Sequence, residues 1–264
     1  MKINIIVDND KCWHLNTIRR LVPFLKERKI FVNKIWVLPE KLSNFKGLSI
    51  LYWYLNIFGL MNFIKLSAFY ILVLIQNIFK KTNSFKDLAK MNDIKCVYLK
   101  NINDLTLYDD LKKENKNYNL IFTNHIISQK LLDLKNNVFI NKHSSLLPGY
   151  KGLMPFIWTK IFSAKNGVSV HLVSKEIDSG KIIFQKKIDY EFNSMVEFYI
   201  YIYENFPKYF VESLKNLEEE NFFDTSYKES SFSLPTRKEF KQFLRSGGKI
   251  IQLNDFFKIN KIIN

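Results

Sequence analysis

The chain has 264 residues, 47% hydrophobic and 25% charged, with only 8 Gly and 6 Pro. That balance excludes a disordered or low-complexity protein and suits one large α/β domain with at most a small appendage. The formal net charge of +15 implies an anionic partner (nucleic acid, a nucleotide-linked substrate, a polyanionic cofactor or a membrane surface) unless it is a Lys, Asn and Ile bias spread along the chain. No block of five like charges marks a basic tail.

KINIIV (2–7) is short, apolar and β-branched, and predicts a buried first strand; Asp8, Asn9 and Asp10 then punctuate it. The same Asp8 comes too soon for a signal-peptide apolar region, so none is expected. Apolar positions at helical spacing over 14–29 predict a helix that Pro23 kinks or breaks. IFVNKIWVL (30–38) predicts a second strand. Residues 45–80 read as helical and strongly apolar. Their densest run, LSAFYILVLIQNIF (66–79), lies between Lys65 and Lys80–Lys81. It is short of the roughly 20 residues of a spanning helix. A buried core helix is the expectation, and a helix lying on a membrane surface is the alternative.

SFKDLAKMN (84–92) predicts a short helix capped by Ser84. Strands follow at 95–99, 119–123 and 138–143, with a helix over 103–115 between the first two. This alternation predicts a mostly parallel sheet covered on both faces. Residues 154–165 predict a helix with Pro155 in its first turn. Two strand-like runs, 168–173 and 181–188, flank the loop SKEIDSG as a hairpin-like excursion. A long helix over 194–220, with a break near Pro207, and a short one ended by Gly247–Gly248 complete the chain. The expected organisation is a catalytic domain over 1–224 and a short C-terminal extension over 225–264. Cys12 and Cys96 have no metal-ligand spacing, so no metal site and a reducing compartment are expected.

The chemistry concentrates in INKHSSLLPGYKG (140–152). In a parallel α/β sheet, ligands bind beyond the carboxyl ends of the strands. Residues two apart on a strand share a face, so Asn141 and His143 can address one reacting centre. An amide N–H that cannot titrate and an imidazole that can suit acyl transfer: one holds a developing oxyanion, the other handles a proton. A carboxylate on a loop over the same strands would complete the set, and Asp178 is placed to supply it. An Asn-x-His pair at a strand end can also be no more than a turn cap.

The ordered string INKHSSLLPGYKG, then Pro155 and Trp158, then GVSVHLV and EIDSGKIIFQ, resembles the catalytic domain of the formyltransferases that use 10-formyltetrahydrofolate. The likeness is good over about residues 118–190 and holds elsewhere in outline. It implies an α/β fold: a Rossmann-like, mostly parallel sheet flanked by helices, with a hairpin-like extension and a short C-terminal appendage. It implies a catalytic triad of Asn141, His143 and Asp178, and 10-formyltetrahydrofolate as co-substrate. The family's folate loops correspond to Asn124, His125, Ile126 and Ile127, and to Glu176 and Ile177 beside Asp178. His171 is expected to be a packed or hydrogen-bonded core residue and His14 a helix-surface residue.

Three branches of the family differ in the amine they formylate. The glycinamide-ribonucleotide branch carries a glycine-rich phosphate loop after the first strand, where this chain reads DNDKCWHLN; backbone N–H groups approach phosphate less closely there. The methionyl-tRNA branch carries a further C-terminal domain, for which the stretch beyond residue 190 is expected to be too short. The sugar N-formyltransferases remain. The expected acceptor is therefore a nucleotide-linked amino sugar of surface polysaccharide biosynthesis, with Asn9 and Asp10 facing sugar or nucleotide unless they only form the turn. A cytoplasmic homodimer is expected, with peripheral membrane association through 48–79 as an option. Nucleic acid is not an expected partner. A formyltransferase for another amine, or a non-catalytic basic nucleic-acid binder, are the alternatives.

Overall fold

The computed structural model describes residues 1–113 and 117–263. In chain order the elements are β1 (Lys2–Asp8), α1 (His14–Lys26), β2 (Phe31–Leu38), β3 (Lys41–Leu42), β4 (Phe45–Lys46), α2 (Leu48–Phe79), α3 (Phe85–Met91), β5 (Lys95–Tyr98), α4 (Leu105–Lys113), β6 (Asn117–Phe122), α5 (Gln129–Leu132) and β7 (Asn137–His143). There follow β8 (Lys151–Gly152), α6 (Pro155–Ile161), β9 (Asn166–Leu172), β10 (Ile182–Ile188), α7 (Met195–Glu218), β11 (Ser231–Phe232), α8 (Arg237–Arg245), α9 (Leu253–Phe256) and α10 (Asn260–Ile263). The last two residues of the helix expected over 103–115 lie outside the described residues.

Seven strands form one sheet in the order β10-β9-β7-β6-β1-β2-β5. β5, β2, β1, β6 and β7 run parallel, and β9 is antiparallel to both its neighbours, β7 and β10. Six of the seven β1 residues are buried, as a central strand covered on both faces requires. Alternation splits the core in two. Ile3, Ile5 and Val7 face the larger cluster, with α1, α6, α7 and α8; Ile6, Ile121 and Phe139 face a smaller one with α4 and α5. On the smaller face a ladder of amides crosses the sheet. Asn33 donates to Asn4, Asn4 to Asn119, and Asn119 to Asn137, each at 3.1 Å, and Asn137 donates to the Leu111 carbonyl. Passing the bond along leaves no buried amide in this row to bear an unpaired cost of about 1–3 kcal/mol.

Three expectations need correction. α2 is an outer helix rather than a buried core helix: only Ile50, Trp53, Phe58, Phe69, Val73 and Asn77 are buried. It is apolar all round, so its sequence carries no stripe to say which side meets the core. It is also two pieces in one, interrupted at Gly59 with φ 78°. α7 runs unbroken through Pro207, held by a buried apolar face. α1 likewise continues through Pro23 to Lys26. The segment after residue 225 packs on the main core through Phe240, Phe243, Ile250, Ile251 and Ile262.

Candidate active site

The register of β7 and β9 assembles the site. Asn141 is opposite His171 and His143 is opposite Ser169, and directly opposed residues of an antiparallel pair share a face. All four side chains therefore belong to the smaller face, at the end of the sheet where β1, β6 and β7 finish. The loop 173–181 folds back over them. Gly180 permits this, since a Cβ there would lie 1.8 Å from the Leu172 carbonyl oxygen. Asp178, at φ +51°, is thereby set between two rings. Its Oδ2 is 3.3 Å from His143 Nδ1 and its Oδ1 is 3.5 Å from His171 Nε2. The Gly152 N–H donates to Oδ2 at 2.9 Å.

Each ring gives its other nitrogen to a backbone carbonyl. His143 Nε2 lies 2.8 Å from the Tyr150 oxygen and His171 Nδ1 lies 2.9 Å from the Leu172 oxygen. A neutral imidazole donating there turns a lone pair toward the carboxylate; only the imidazolium donates on both sides. Burial, the largest influence on His143, pulls its pKa below the ordinary value, while Asp178 and the Tyr150 bond work the other way. Burial also works to raise Asp178, but His143, His171 and the Gly152 N–H together hold it well below the usual carboxylate range. The carboxylate is a fixed negative charge, and the proton on His143 is loosely held. Asn141 Oδ1 accepts from the Lys142 N–H at 2.8 Å. That fixes the amide and leaves its Nδ2 hydrogens as donors.

The turn after β7 is scaffolded by distant chain. The Leu147–Pro148 peptide is cis. β11 pairs with β8, and Ser230 and Thr225 bond the backbone at 147, 150 and 151. Phe232 stacks on Trp158 at 4.6 Å and on Tyr150 at 5.7 Å. A Gly152 Cβ would meet the Phe232 carbonyl at 2.1 Å, so this glycine is required by the approach of the tail. Trp158 is thus a prop for the Tyr150 carbonyl, which His143 uses.

The structure brings Asn141, His143 and Asp178 together. It also adds two residues. His171 is buried and hydrogen-bonded, as expected of a core residue, but it is also the second ring on Asp178, a contact that only the strand register could have revealed. Asp8, read as punctuation, is buried and accepts from the Thr123 hydroxyl and the Asn124 N–H. Burial pushes it up to about 7. It anchors the loop holding Asn124, His125, Ile126 and Ile127. His125 Nε2 reaches the Pro39 oxygen at 2.9 Å, and Asn124 Nδ2 reaches the Lys41 oxygen. Ile126 and Ile177 are both exposed, by 66% and 62%. Ile127 and Val173 pack on the same small-face cluster, so this loop and the one carrying Glu176 border one surface.

Asp10 Oδ1 accepts from the Cys12 and Trp13 N–H groups at 2.7 and 2.9 Å, which is the capping use of such a turn. Asn9 Oδ1 is buried without a partner. His14 is not a surface residue: it is partly buried and stacks on Phe122 at 5.5 Å. Lys142, on the opposite face from Asn141, lies 4.3 Å from the Tyr203 ring centre. Burial lowers it to about 7. Among the described residues no group of three or more His, Cys, Asp or Glu could hold a metal ion.

Residues 95–197, which contain this constellation, match the family model described as formyl transferase. This part of the chain is similar to the formyl transferase family. The methionyl-tRNA formyltransferase of Finegoldia magna is 33% identical over 100 residues, covering 37% of this chain and 32% of that protein. The match therefore spans about a third of that curated relative. Among solved structures, a sugar N-formyltransferase from a Shewanella species aligns with a TM-score of 0.56 at 16% identity, over 93% of this chain and 87% of that one. WlaRD, a sugar 3N-formyl transferase solved with dTDP and 5-N-formyl-THF, aligns with a TM-score of 0.55 at 18% identity, over 96% and 83%. At such identity these two likenesses speak for the fold, an α/β formyltransferase fold.

Proposed function

We propose that this chain is an N-formyltransferase that moves a formyl group from 10-formyltetrahydrofolate to the amine of a nucleotide-linked amino sugar. The observation that carries formyl transfer is the set Asn141, His143 and Asp178: an N–H donor, an imidazole and a carboxylate on one strand pair. The donor supplies an electrophilic carbonyl carbon on a nitrogen leaving group. Asn141 Nδ2 stabilises the oxygen on which charge develops as the amine adds, with the His143 imidazolium close by as a positive charge once it has taken the proton. His143 and Asp178 carry the proton lost by the amine toward the leaving nitrogen, and His171 keeps the carboxylate in place. Asn124, His125, Ile126, Ile127, Glu176 and Ile177 border the surface suited to the folate. The two exposed isoleucines offer apolar faces to its flat ring, and the loop backbones offer hydrogen bonds. The folate-bound state of WlaRD supports that donor class.

The sugar acceptor is supported by the surroundings of Asn9 and Asp10. Trp13, stacked between Phe69 and Tyr203 and beside Tyr199, gives this turn a rigid aromatic wall. Glu40, exposed just after β2, lies close enough to Asp10 for their charges to interact and adds a second carboxylate near an incoming amine. Residues 8–16 hold no glycine, unlike a phosphate cradle. The product would enter surface polysaccharide biosynthesis. A second reading, methionyl-tRNA as acceptor, is favoured by the 33% identity to the Finegoldia enzyme and by the net charge of +15.

The deciding experiment follows tetrahydrofolate release from 10-formyltetrahydrofolate with a panel of nucleotide-linked amino sugars, methionyl-tRNA and glycinamide ribonucleotide. Turnover with one sugar, lost in Asn141→Ala, His143→Ala and Asp178→Ala, is the expected result. Turnover with tRNA alone would select the second reading. Silence on every amine would remove the enzymatic one.

A further inference from the structure

The outer side of α2 is explained by nothing else in the molecule. After Gly59, the solvent-facing positions are Leu60, Met61, Ile64, Ala68, Ile71, Leu72, Ile75, Ile78 and Phe79, which share one side, and Tyr70 on another. At 100° per residue all of these but Tyr70 fill an arc of about 120° that holds no polar side chain. The buried residues Phe69, Val73 and Asn77 lie on the opposite arc. By length and composition α2 could cross a membrane, but that inner arc is fastened to the protein. Phe69 meets Phe256, Phe58 meets Phe240, and Arg237 binds the backbone and side chain of Asn56. The helix lies along the surface. The apolar plane continues past it through Leu244, Leu253 and Phe257, the last 84% exposed.

Charge selects the partner. From residue 41 to 86 the chain carries six lysines, at 41, 46, 65, 80, 81 and 86, and no Asp or Glu. Lys238, Lys241, Arg245 and Lys249 add positive charge on and after α8, which packs against α2. Beside the helix, Lys65 and Lys249 line a cavity of about 420 Å³ with Asn62, Leu244, Ile250 and Leu253. A second copy seated on this face would bring two basic rims together with few acids to pair them. An anionic surface would neutralise both.

We propose that α2 is a monotopic membrane anchor, which lies in the headgroup layer of an anionic leaflet with the Lys65–Lys249 cavity receiving a lipid phosphate. A free interfacial helix has one apolar face; α2 is apolar all round, but its inner arc is taken up by the protein, so only the outer arc is offered to a leaflet. The inference does not depend on which amine is formylated, or on whether formyl transfer occurs.

The test is flotation of the purified full chain on vesicles of phosphatidylcholine, with and without phosphatidylglycerol. Binding is expected to the mixed vesicles, to weaken with added salt, and to be much weaker on phosphatidylcholine alone. Ile71→Glu and Ile75→Glu are each expected to weaken it about ten-fold or more. Their thermal unfolding should stay unchanged, since both positions face solvent. Lys65→Glu with Lys249→Glu should reduce binding to mixed vesicles only. No flotation on either vesicle would overturn the proposal. So would equal, salt-insensitive binding to both, which would reject the anionic leaflet. A dimer by light scattering that Ile71→Glu dissociates, without vesicle binding, would assign the face to a second copy.

Discussion

Replacing Asp178 by Asn tests the electrostatics of the site most directly. Asn tolerates the positive φ of this position and can still accept from the Gly152 N–H, so the loop should keep its path. What disappears is a charge shared by two rings. At 3.3 Å and an effective dielectric of about 20, the carboxylate stabilises the His143 imidazolium by about 5 kcal/mol before any relaxation. Opposite charges at such range shift pKa values by about 1–3 units in practice. Burial already lowers His143, so without Asp178 its titration should fall by a further one to three units. The chain has only four histidines, and their ring signals can be followed by NMR across the pH range, with His143→Gln assigning the relevant one. Turnover on the accepting amine should fall about 10²–10⁴-fold, the usual reach of a lost acid–base partner. A His143 midpoint that stays put, or rises, in Asp178→Asn would refute the coupling.

Three further changes probe the surroundings. Gly180→Ala places a methyl 1.8 Å from the Leu172 carbonyl; the loop must move, so urea unfolding should show a loss of about 1–3 kcal/mol and turnover should fall as in Asp178→Asn. Thr123→Val removes a donor from Asp8. That carboxyl is raised in the fold, so it favours the native state most below its unfolded value, and the benefit is lost as pH rises through about 7. The variant should therefore lose more stability at pH 8 than at pH 5, by about 1–3 kcal/mol at the higher pH, read by denaturation at both. Lys142→Met removes an ammonium that burial lowers to about 7. The charged form is penalised fully below that pH and the penalty fades toward the ordinary lysine value. The variant should melt higher than the parent at pH 6, with the gap narrowing by pH 9 in thermal scans.

Much of the fold was legible because its signals are local. β1, β2, β5, β6 and β7 each announce themselves as short apolar runs, and the helices between them by spacing and by caps such as Ser84, which accepts from the Asp87 N–H. Asn141 and His143 could be paired from alternation alone. Asp178 is 35 positions beyond His143, and no periodicity links them; there the resemblance supplied what a single strand cannot. His171 was rightly placed in the core, but its tie to Asp178 was out of reach for the same reason. A polar residue within an alternating strand looks like a satisfied core residue until the partner strand and register are known. Asp8 was hidden by its place in a run of turn-forming residues. α2 defeated the reading of burial because a helix apolar on every side gives composition without direction.

The arrangement around Asp178 also bears on what the site can hold at rest. Both rings spend one N–H on a backbone carbonyl and turn the other nitrogen to the same carboxylate. With both rings neutral, two lone pairs face one negative charge. With both rings protonated, two buried cations share one anion. Burial favours the neutral form of His143, and the Asp178 charge works against it, so a proton reaching that ring is held loosely beside a fixed carboxylate. In the proposed reaction, neutral His143 can take a proton from the attacking amine and return it to the leaving nitrogen, the imidazolium being balanced meanwhile by the Asp178 carboxylate. Asn141, which cannot titrate, stands directly opposite His171 and is unaffected by where that proton resides. The oxyanion donor and the proton carrier are thereby independent, although β7 presents them two residues apart.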